Sequence, residues 1–545
     1  MEIFRIEGME YIFGLPGATE VRFMQALKDY PELQYRLGLH EVVVTGMAEG
    51  YSRATGKPAV LNLHTNTGLG AATPLLANAY SGGVPLIITA GQQDTRLLAS
   101  EPGLTGDLVK LVSQFTKWST EVLHAEDIPM VLRRAFRTAV HPPSGPVFIS
   151  LPQDILETEI EFEYFRSSPL YARVHPQAEA IDLAAGLILR AQHPLLIVED
   201  GVSKAGAQAE AISLAELMGA RVYQPWMSDV NFPVDHPLYF GDLSESSQAT
   251  RQILEKADLI VAVGADLFSQ VAYFEQPLMP AGIPLIQIDS DAWEIGKNYP
   301  VTAGIEGDIQ LALADLNGRI QQQADSHFRQ AVEQRTAALG QEKLALDKTV
   351  KQKARREKDL IPIATTRLMA EIKAALPPGT RIVDDCWSAS AVLRQTLAFG
   401  EPLSYFRSRN GGSIGWGLPG ALGVKIGSPH SPVVCVSGDG SAMWSIQSLW
   451  TASRYQIPVT FVILANGCYQ MVRNMSRTLL GPSLGAEIPG TDLCLPQIDF
   501  CRVAEGMGLA ARRIADPADL RKGLRDAFRL NQPNLVEILT DSSPR

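Results

Sequence analysis

Short, continuous apolar runs separated by helix-period stretches recur along nearly the whole chain of 545 residues. Val60–His64, Leu86–Ala90 and Val147–Leu151 read as buried strands, with a helical stretch, Ala71–Tyr80, between the first two. Ahead of them, Tyr35–Leu39 reads as a strand and the residues from Glu41 to near Gly56 as a helix. Residues 156–176, with Ser-Ser-Pro and few periodic apolar positions, read as a linker. In a second block Leu195–Val198, Leu259–Val263 and Leu285–Ile288 are the strands, and in a third, from Ile361, they are Ile382–Asp385, Val433–Ser437, Val459–Leu464 and Leu535–Ile538. Strands that alternate with helices build parallel sheets covered on both faces. The expected fold class is therefore α/β, with three doubly wound parallel-sheet domains at 1–165, 177–320 and 361–545, joined by a charged connector at 321–360. The connector is rich in Gln, Lys, Glu and Arg, and its basic run Lys348–Lys358 reads as a solvated helix.

Composition narrows the function classes. At 46% hydrophobic and 20% charged, the chain is an ordinary globular protein with sizeable cores. A net charge of −11 without a basic stripe argues against nucleic acid as a partner. No apolar run approaches the roughly 20 residues that span a bilayer. Met1-Glu-Ile-Phe-Arg lacks a secretory apolar segment and begins almost on the first predicted helix, so a few upstream residues are expected. Cys386, Cys435, Cys468, Cys494 and Cys501 are odd in number and form no CxxC pair, which argues against disulfides and zinc and for a reducing cytoplasm.

The most informative segment is Val433-Val-Cys-Val-Ser-Gly438-Asp439-Gly440-Ser441, a buried strand entering a glycine-bounded turn with one carboxylate. A helix over Met443–Tyr455 and a second strand follow, and Asn466-Gly467 comes directly after that strand. In a βαβ unit both strands point the same way, so Asp439 and Asn466 emerge together at the edge where open α/β sheets bind ligands. Asp and Asn oxygens, a backbone carbonyl beyond Asn466 and phosphate oxygens make a hard-cation shell suited to Mg²⁺. Gly438 and Gly440 permit close approach, and Ser441 can donate to a diphosphate. A lone Gly-Asp-Gly is an ordinary turn. The Asn following the next strand is what makes the pattern specific.

GDGS followed by ANG at this spacing resembles the thiamine diphosphate signature of the 2-keto acid decarboxylase and acetolactate synthase superfamily. The likeness is greatest to its benzoylformate decarboxylase branch, through Gly438–Asn466, Gly91-Gln92-Gln93 and Pro496–Phe500. It implies thiamine diphosphate and Mg²⁺ as cofactors, with Asp439, Asn466 and the Cys468 carbonyl as metal ligands. One departure is Ala465-Asn466 where the family has Asn-Asn; the second Asn is the ligand, so no loss of metal is expected. Tyr469, Gly412, Ile414 and, more weakly, Ser388 join Gly438, Gly440 and Ser441 as implied cofactor contacts, Ile414 being the wedge beneath the bent cofactor and the Gly412 carbonyl an acceptor for its amino group. The resemblance also implies an activating Glu hydrogen-bonded to the aminopyrimidine. Glu41 takes that role, followed by the matching Gly46-Met-Ala-Glu-Gly-Tyr stretch, and Glu49 is read as structural. A first-turn Glu is otherwise a common helix-dipole partner. In the family this Glu and the diphosphate site belong to different subunits, which implies a homodimer at minimum and commonly a homotetramer.

His64 matches a proton-transferring His of the benzoylformate decarboxylase branch and is assigned a catalytic or substrate-orienting role, with Gln92 or Gln93 lining the same pocket. In structural terms a strand-end His and a loop amide are ordinary features. Two departures bear on the reaction: Ala18 stands where the branch has a Ser, and Val271 near a second catalytic His. Replacing both removes proton-transfer capacity. The leading expectation is a decarboxylase of aromatic or branched 2-keto acids. The alternative is an acetolactate synthase-like carboligase that joins a 2-keto acid to a second keto acid or an aldehyde. A non-catalytic nucleotide-binding scaffold comes third. The middle block has strand-end turns, Val198-Glu-Asp-Gly201 and Val263-Gly-Ala265, without GxGxxG, and is read as structural and without FAD.

Overall fold

The computed structural model describes residues 1–167, 173–244, 248–268, 273, 275–409, 411–481 and 488–541. Three six-stranded sheets follow one another along the chain, and the strand pairs within them are parallel. The first holds β1 (Tyr11–Gly14), β2 (Gln34–Leu37), β3 (Ala59–Leu63), β4 (Leu86–Gln92), β5 (Trp118–Glu121) and β6 (Val147–Pro152), in the order β2-β1-β3-β4-β6-β5. The second holds β7 (Pro194–Val198), β8 (Arg221–Pro225), β9 (Tyr239–Leu243), β10 (Leu259–Val263), β11 (Leu285–Asp289) and β12 (Ala303–Glu306), in the order β12-β11-β10-β7-β8-β9. The third holds β13 (Arg381–Asp385), β14 (Tyr405–Arg407), β15 (Val433–Gly438), β16 (Val459–Ala465), β17 (Ala510–Ile514) and β18 (Asn534–Leu539), in the order β14-β13-β15-β16-β18-β17.

Renumbered from one, the first and third sheets share a single strand order, while the middle sheet has the 3-2-1-4-5-6 order of dinucleotide-binding folds. In the outer sheets the chain reverses direction between the first and third strands. That places a crevice at β1/β3 in one and at β13/β15 in the other. The central strands are fully buried on both faces, as a parallel sheet between helices demands.

Two of the outer domains' helices make the tightest junction of the molecule. Helix Glu41–Thr55 crosses helix Gly417–Gly427 so closely that a β-carbon on Gly423 would lie 2.0 Å from the Met47 carbonyl oxygen. Beside this crossing, buried charges from all three domains interlock. Arg53 reaches Glu49 at 3.1 Å and Asp229 at 2.7 Å, and Arg409 reaches Asp229 at 2.6 Å and also pairs with Asp200. Glu49 is thus a structural acid in this network.

The connector forms one long helix, Ser326–Arg356, with only Leu339 buried. Its far end does more than solvate the surface, because Lys353 and Glu357 border the cavity described below. The helix expected over Met443–Tyr455 is broken in two, Asp439–Trp444 and Ser448–Arg454. The break falls at Ser445, the C-cap of the first piece, whose backbone leaves the helical region at φ −139°. No helix among the described residues is long and apolar enough to cross a membrane.

Candidate active site

β15 and β16 lie side by side in parallel register, Gly438 opposite Leu464, so Asp439 and Asn466 leave the sheet together. The Asp439 carboxylate ties the two turns to each other: Oδ1 accepts the Gly440 N–H at 2.8 Å and Oδ2 the Gly467 N–H at 2.7 Å. Asn466 Oδ1 accepts the Cys468 N–H at 3.0 Å. Gly467 has φ +69°, and a β-carbon there would meet Cys494 Sγ at 2.3 Å, so glycine is required. Tyr469 covers Gly440, whose β-carbon would be 2.5 Å from the ring, whereas nothing stands within 4 Å of a β-carbon on Gly438. Burial pushes the Asp439 carboxyl above the usual carboxylate range, and no basic side chain pairs with it among the described residues. A buried carboxylate without a cation, beside an amide oxygen and an open turn, is a donor set that fits a hard divalent ion. The other acidic group, Asp499, Cys501 and Glu537, is already filled by Arg513, 3.0 Å from each carboxylate.

A cavity of about 510 Å³ opens beside these residues. Gly438, Asp439, Gly440, Ser441, Asn466, Cys468 and Tyr469 border it, as do Ser388, Gly412 and Ile414. Every described lining residue falls between 353 and 541. The loop bearing Ile414 is held from two sides. The buried Asp385 carboxylate accepts the Gly415 and Gly417 N–H groups at 3.1 and 3.0 Å and the Trp387 indole N–H at 2.8 Å. Burial nevertheless pushes Asp385 up to about 7, against the pull of those donors. From the N-terminal domain, buried Asn78 donates to the Ser413 carbonyl at 3.1 Å and to Ser408 Oγ at 3.0 Å, and accepts the Ser413 N–H at 3.1 Å. Trp387 also borders the cavity, in a left-handed conformation at φ +42°.

Glu41 and His64 lie elsewhere, at the β1/β3 crevice of the first sheet. A β-carbon on Gly68 would be 3.0 Å from Glu41 Oε1 and 3.4 Å from His64 Cβ, so the two side chains share one niche. Glu41 opens helix Glu41–Thr55 and its side chain is 15% exposed. His64 Nδ1 is 2.9 Å from Glu20, a residue the sequence reading did not single out. Gln92 is spent on its own surroundings. Its Nε2 donates to the Gly106 carbonyl at 2.9 Å, and its Oε1 accepts Thr105 Oγ1 at 3.1 Å and the Gln93 N–H at 3.0 Å. Gln93 Nε2 donates to the Gly103 carbonyl at 2.8 Å. The structure therefore brings the cofactor and metal candidates together around Asp439, sets Glu41 and His64 on either side of Gly68, and commits Gln92 to holding Thr105 and Gly106. Val271 lies outside the described residues.

Comparison with known proteins decides the family. Residues 1–115, 181–316 and 388–538 match the N-terminal TPP binding, central and C-terminal TPP binding domains of thiamine pyrophosphate enzymes. A benzoylformate decarboxylase of Pseudomonas aeruginosa is 32% identical over 99% of this chain and 98% of its own. The chain belongs to the thiamine pyrophosphate enzyme family. A probable acetolactate synthase large subunit of Methanocaldococcus jannaschii is a further relative, 29% identical over 98% of this chain and 90% of its own. Among solved structures, the 4-hydroxybenzoylformate decarboxylase of Rhodococcus jostii RHA1 superposes with a TM-score of 0.85 at 29% identity, covering 99% of this chain and 98% of that one. This thiamine pyrophosphate enzyme thus resembles benzoylformate decarboxylase and has acetolactate synthase-like relatives. Its cofactor is thiamine diphosphate, the pyrophosphate of the family name.

Proposed function

We propose that the enzyme is a non-oxidative decarboxylase of aromatic or branched 2-keto acids that works with thiamine diphosphate and Mg²⁺ as a homodimer at minimum, assembled as a homotetramer, in the cytoplasm. When bound, the cofactor supplies a carbon nucleophile that holds the electron pair left by the departing carboxylate. Asp439, Asn466 and the Cys468 carbonyl hold Mg²⁺, while Gly438, Gly440, Ser441, Ser388 and Tyr469 face the diphosphate. Ile414 and Gly412 seat the ring end. Glu41 polarises the aminopyrimidine, and His64 moves the substrate's proton. Trp387, Met471 and Val472 on the cavity wall favour an apolar substrate body.

The observation that carries this reading is that the site is divided. Among the described residues the Asp439 cavity is lined only by 353–541, while Glu41 and His64 sit together on the first domain, away from that lining. A second copy of the chain brings one half to the other. Mixing inactive Glu41→Gln and Asp439→Asn chains and refolding them together tests it. Random pairing leaves one intact site in half of the dimers, so roughly a quarter of wild-type activity returns. No recovery would count against the shared site.

A carboligase is the second reading, favoured by Ala18, exposed at the start of the Ala18–Glu20 turn and without a hydroxyl to protonate an intermediate. Product analysis with benzoylformate, pyruvate and an acceptor aldehyde, with and without both cofactors, separates the two. Free aldehyde as the sole product supports the decarboxylase; acyloin as the main product supports the carboligase.

A further inference from the structure

The turn that follows β1 carries a carboxylate that the proposed chemistry does not use. Glu20 is 1% exposed, with Thr19 beside it at 3%. Its Oε1 accepts the Gly91 N–H and the Thr19 hydroxyl, each at 2.8 Å, and its Oε2 accepts the Gly17 N–H at 2.8 Å. The remaining partner is His64 Nδ1, 2.9 Å from Oε2. The backbone is shaped around this contact. A β-carbon on Gly17 would lie 2.1 Å from His64 Nδ1, and one on Gly91 would lie 2.1 Å from Glu20 Oε1. Two glycines on different loops are thus needed for one Glu–His pair.

The chemistry of the pair assigns the ring's hydrogen. Glu20 already receives three other donors, so it meets His64 as an acceptor and Nδ1 is the nitrogen that carries the proton. The Thr19 hydroxyl, 3.3 Å from Nδ1, is turned toward Glu20. Nε2, which has no hydrogen-bond partner among the described residues, keeps its lone pair on the side of the ring away from Glu20.

We infer that Glu20 is a positioning residue that fixes His64 as its Nδ1–H tautomer and so makes Nε2 the proton-accepting atom of the active site. This rests on the proposed role of His64. In the step it serves, Nε2 takes one proton with its lone pair, the ring becomes an imidazolium whose Nδ1–H faces the Glu20 carboxylate, and the same proton is returned from Nε2. Glu20 binds no proton and forms no bond to substrate. The other charged group in the niche is Glu41, across Gly68.

The test uses the holoenzyme and two readouts. Long-range ¹H–¹⁵N correlation spectra of histidine-labelled enzyme, with His64→Gln supplying the assignment, report the tautomer directly. The wild type should show Nδ1 protonated and Nε2 bare, and Glu20→Gln, whose amide can donate, should move the hydrogen to Nε2. Glu20→Gln should lower kcat by about 10²–10⁴-fold, the range of a general base held in the wrong tautomer, while KM moves by less than about threefold. Glu20→Asp, which keeps the charge, should recover part of it. In a His64→Ala background Glu20→Gln should cost nothing further, because both changes disable one unit. A wild-type Nε2–H tautomer, or an undiminished Glu20→Gln effect without His64, would overturn the inference. Full turnover by His64→Ala would instead overturn the role given to His64, and the tautomer spectra would still decide what Glu20 does.

Discussion

The crossing of helices Glu41–Thr55 and Gly417–Gly427 supports a contrast between two identical substitutions. Gly423→Ala adds one methyl group whose carbon would sit 2.0 Å from Met47 O and 2.6 Å from Tyr51 N. Both neighbours are backbone atoms and cannot rotate away. Ordinary van der Waals contact begins near 3.4 Å, so the helices must separate by more than 1 Å over residues that are fully buried on both sides, among them Met47 and Leu418. The propensity gain of Ala over Gly, about 1 kcal/mol, opposes this. Overpacking of about 1–3 kcal/mol, and more where backbone must move, exceeds it. A net loss of about 2 kcal/mol corresponds to a fall of roughly 4–8 °C in the unfolding midpoint of the affected domains. Gly318 is also inside a helix, Ile309–Gln323, but nothing lies within 4 Å of its β-carbon position. There Gly318→Ala should gain up to about 1 kcal/mol and leave the cofactor affinity unchanged. Because Glu41 is the first residue of the displaced helix, Gly423→Ala should also weaken thiamine diphosphate binding, read by quenching of tryptophan fluorescence. Differential scanning calorimetry of both variants is the assay. A Gly423→Ala midpoint equal to or above that of the wild type would refute the argument that backbone contact governs this crossing.

Other consequences can be checked with similar means. Chelation of divalent ions should abolish the cofactor-dependent rise in unfolding midpoint, worth about 2.7 kcal/mol at a hundredfold excess over Kd, and Asp439→Asn should lose the same rise without chelator. Asn78→Ala removes three hydrogen bonds that the buried Asn78 makes to the 408–413 segment, and should cost about 2–4 kcal/mol in urea titrations and lower kcat by loosening the Ile414 loop. Burial pushes the Glu49 carboxyl up to about 7, against Arg53, from an unfolded value of 4.5. Between those values the folded chain holds a proton that the unfolded chain releases, so this contribution to stability is present at low pH and declines as pH rises from about 4.5 to 7. Glu49→Gln should flatten the pH dependence of the midpoint across that window by on the order of 1–3 kcal/mol; an unchanged slope would contradict it.

What the sequence made legible follows from how local each signal is. The strands read from pattern alone, such as Val433–Ser437 and Leu259–Val263, are central in their sheets, buried on both faces and therefore continuously apolar. Five of the strands it left unread, β5, β9, β12, β14 and β17, are sheet edges. β17, Ala-Ala-Arg-Arg-Ile, is half exposed and carries no strand periodicity. The Asp439 and Asn466 pairing was visible because adjacent parallel strands joined by a helical crossover fix where their ends emerge, whether that crossover is one helix or, as here, two short ones, and both residues sit one step past a strand. Glu20, Asn78 and Asp385 have no such local mark. Ala-Thr-Glu-Val at a helix start is an ordinary acidic first turn, and Asn78 stands in the last turn of helix Thr65–Ser81, where Asn is merely a weak helix former. Their roles depend on partners far away in the chain: Glu20 on His64 and Gly91, Asn78 on Ser413. A readable trace existed only indirectly, in Gly17, Gly91 and Gly411, whose missing β-carbons leave room for His64, Glu20 and Asn78 in turn. The glycines that clear space around a polar side chain mark its position better than the polar residue itself does. On that argument, changing Gly91 to Ala should disturb His64 as surely as changing Glu20, although Gly91 touches neither substrate nor histidine.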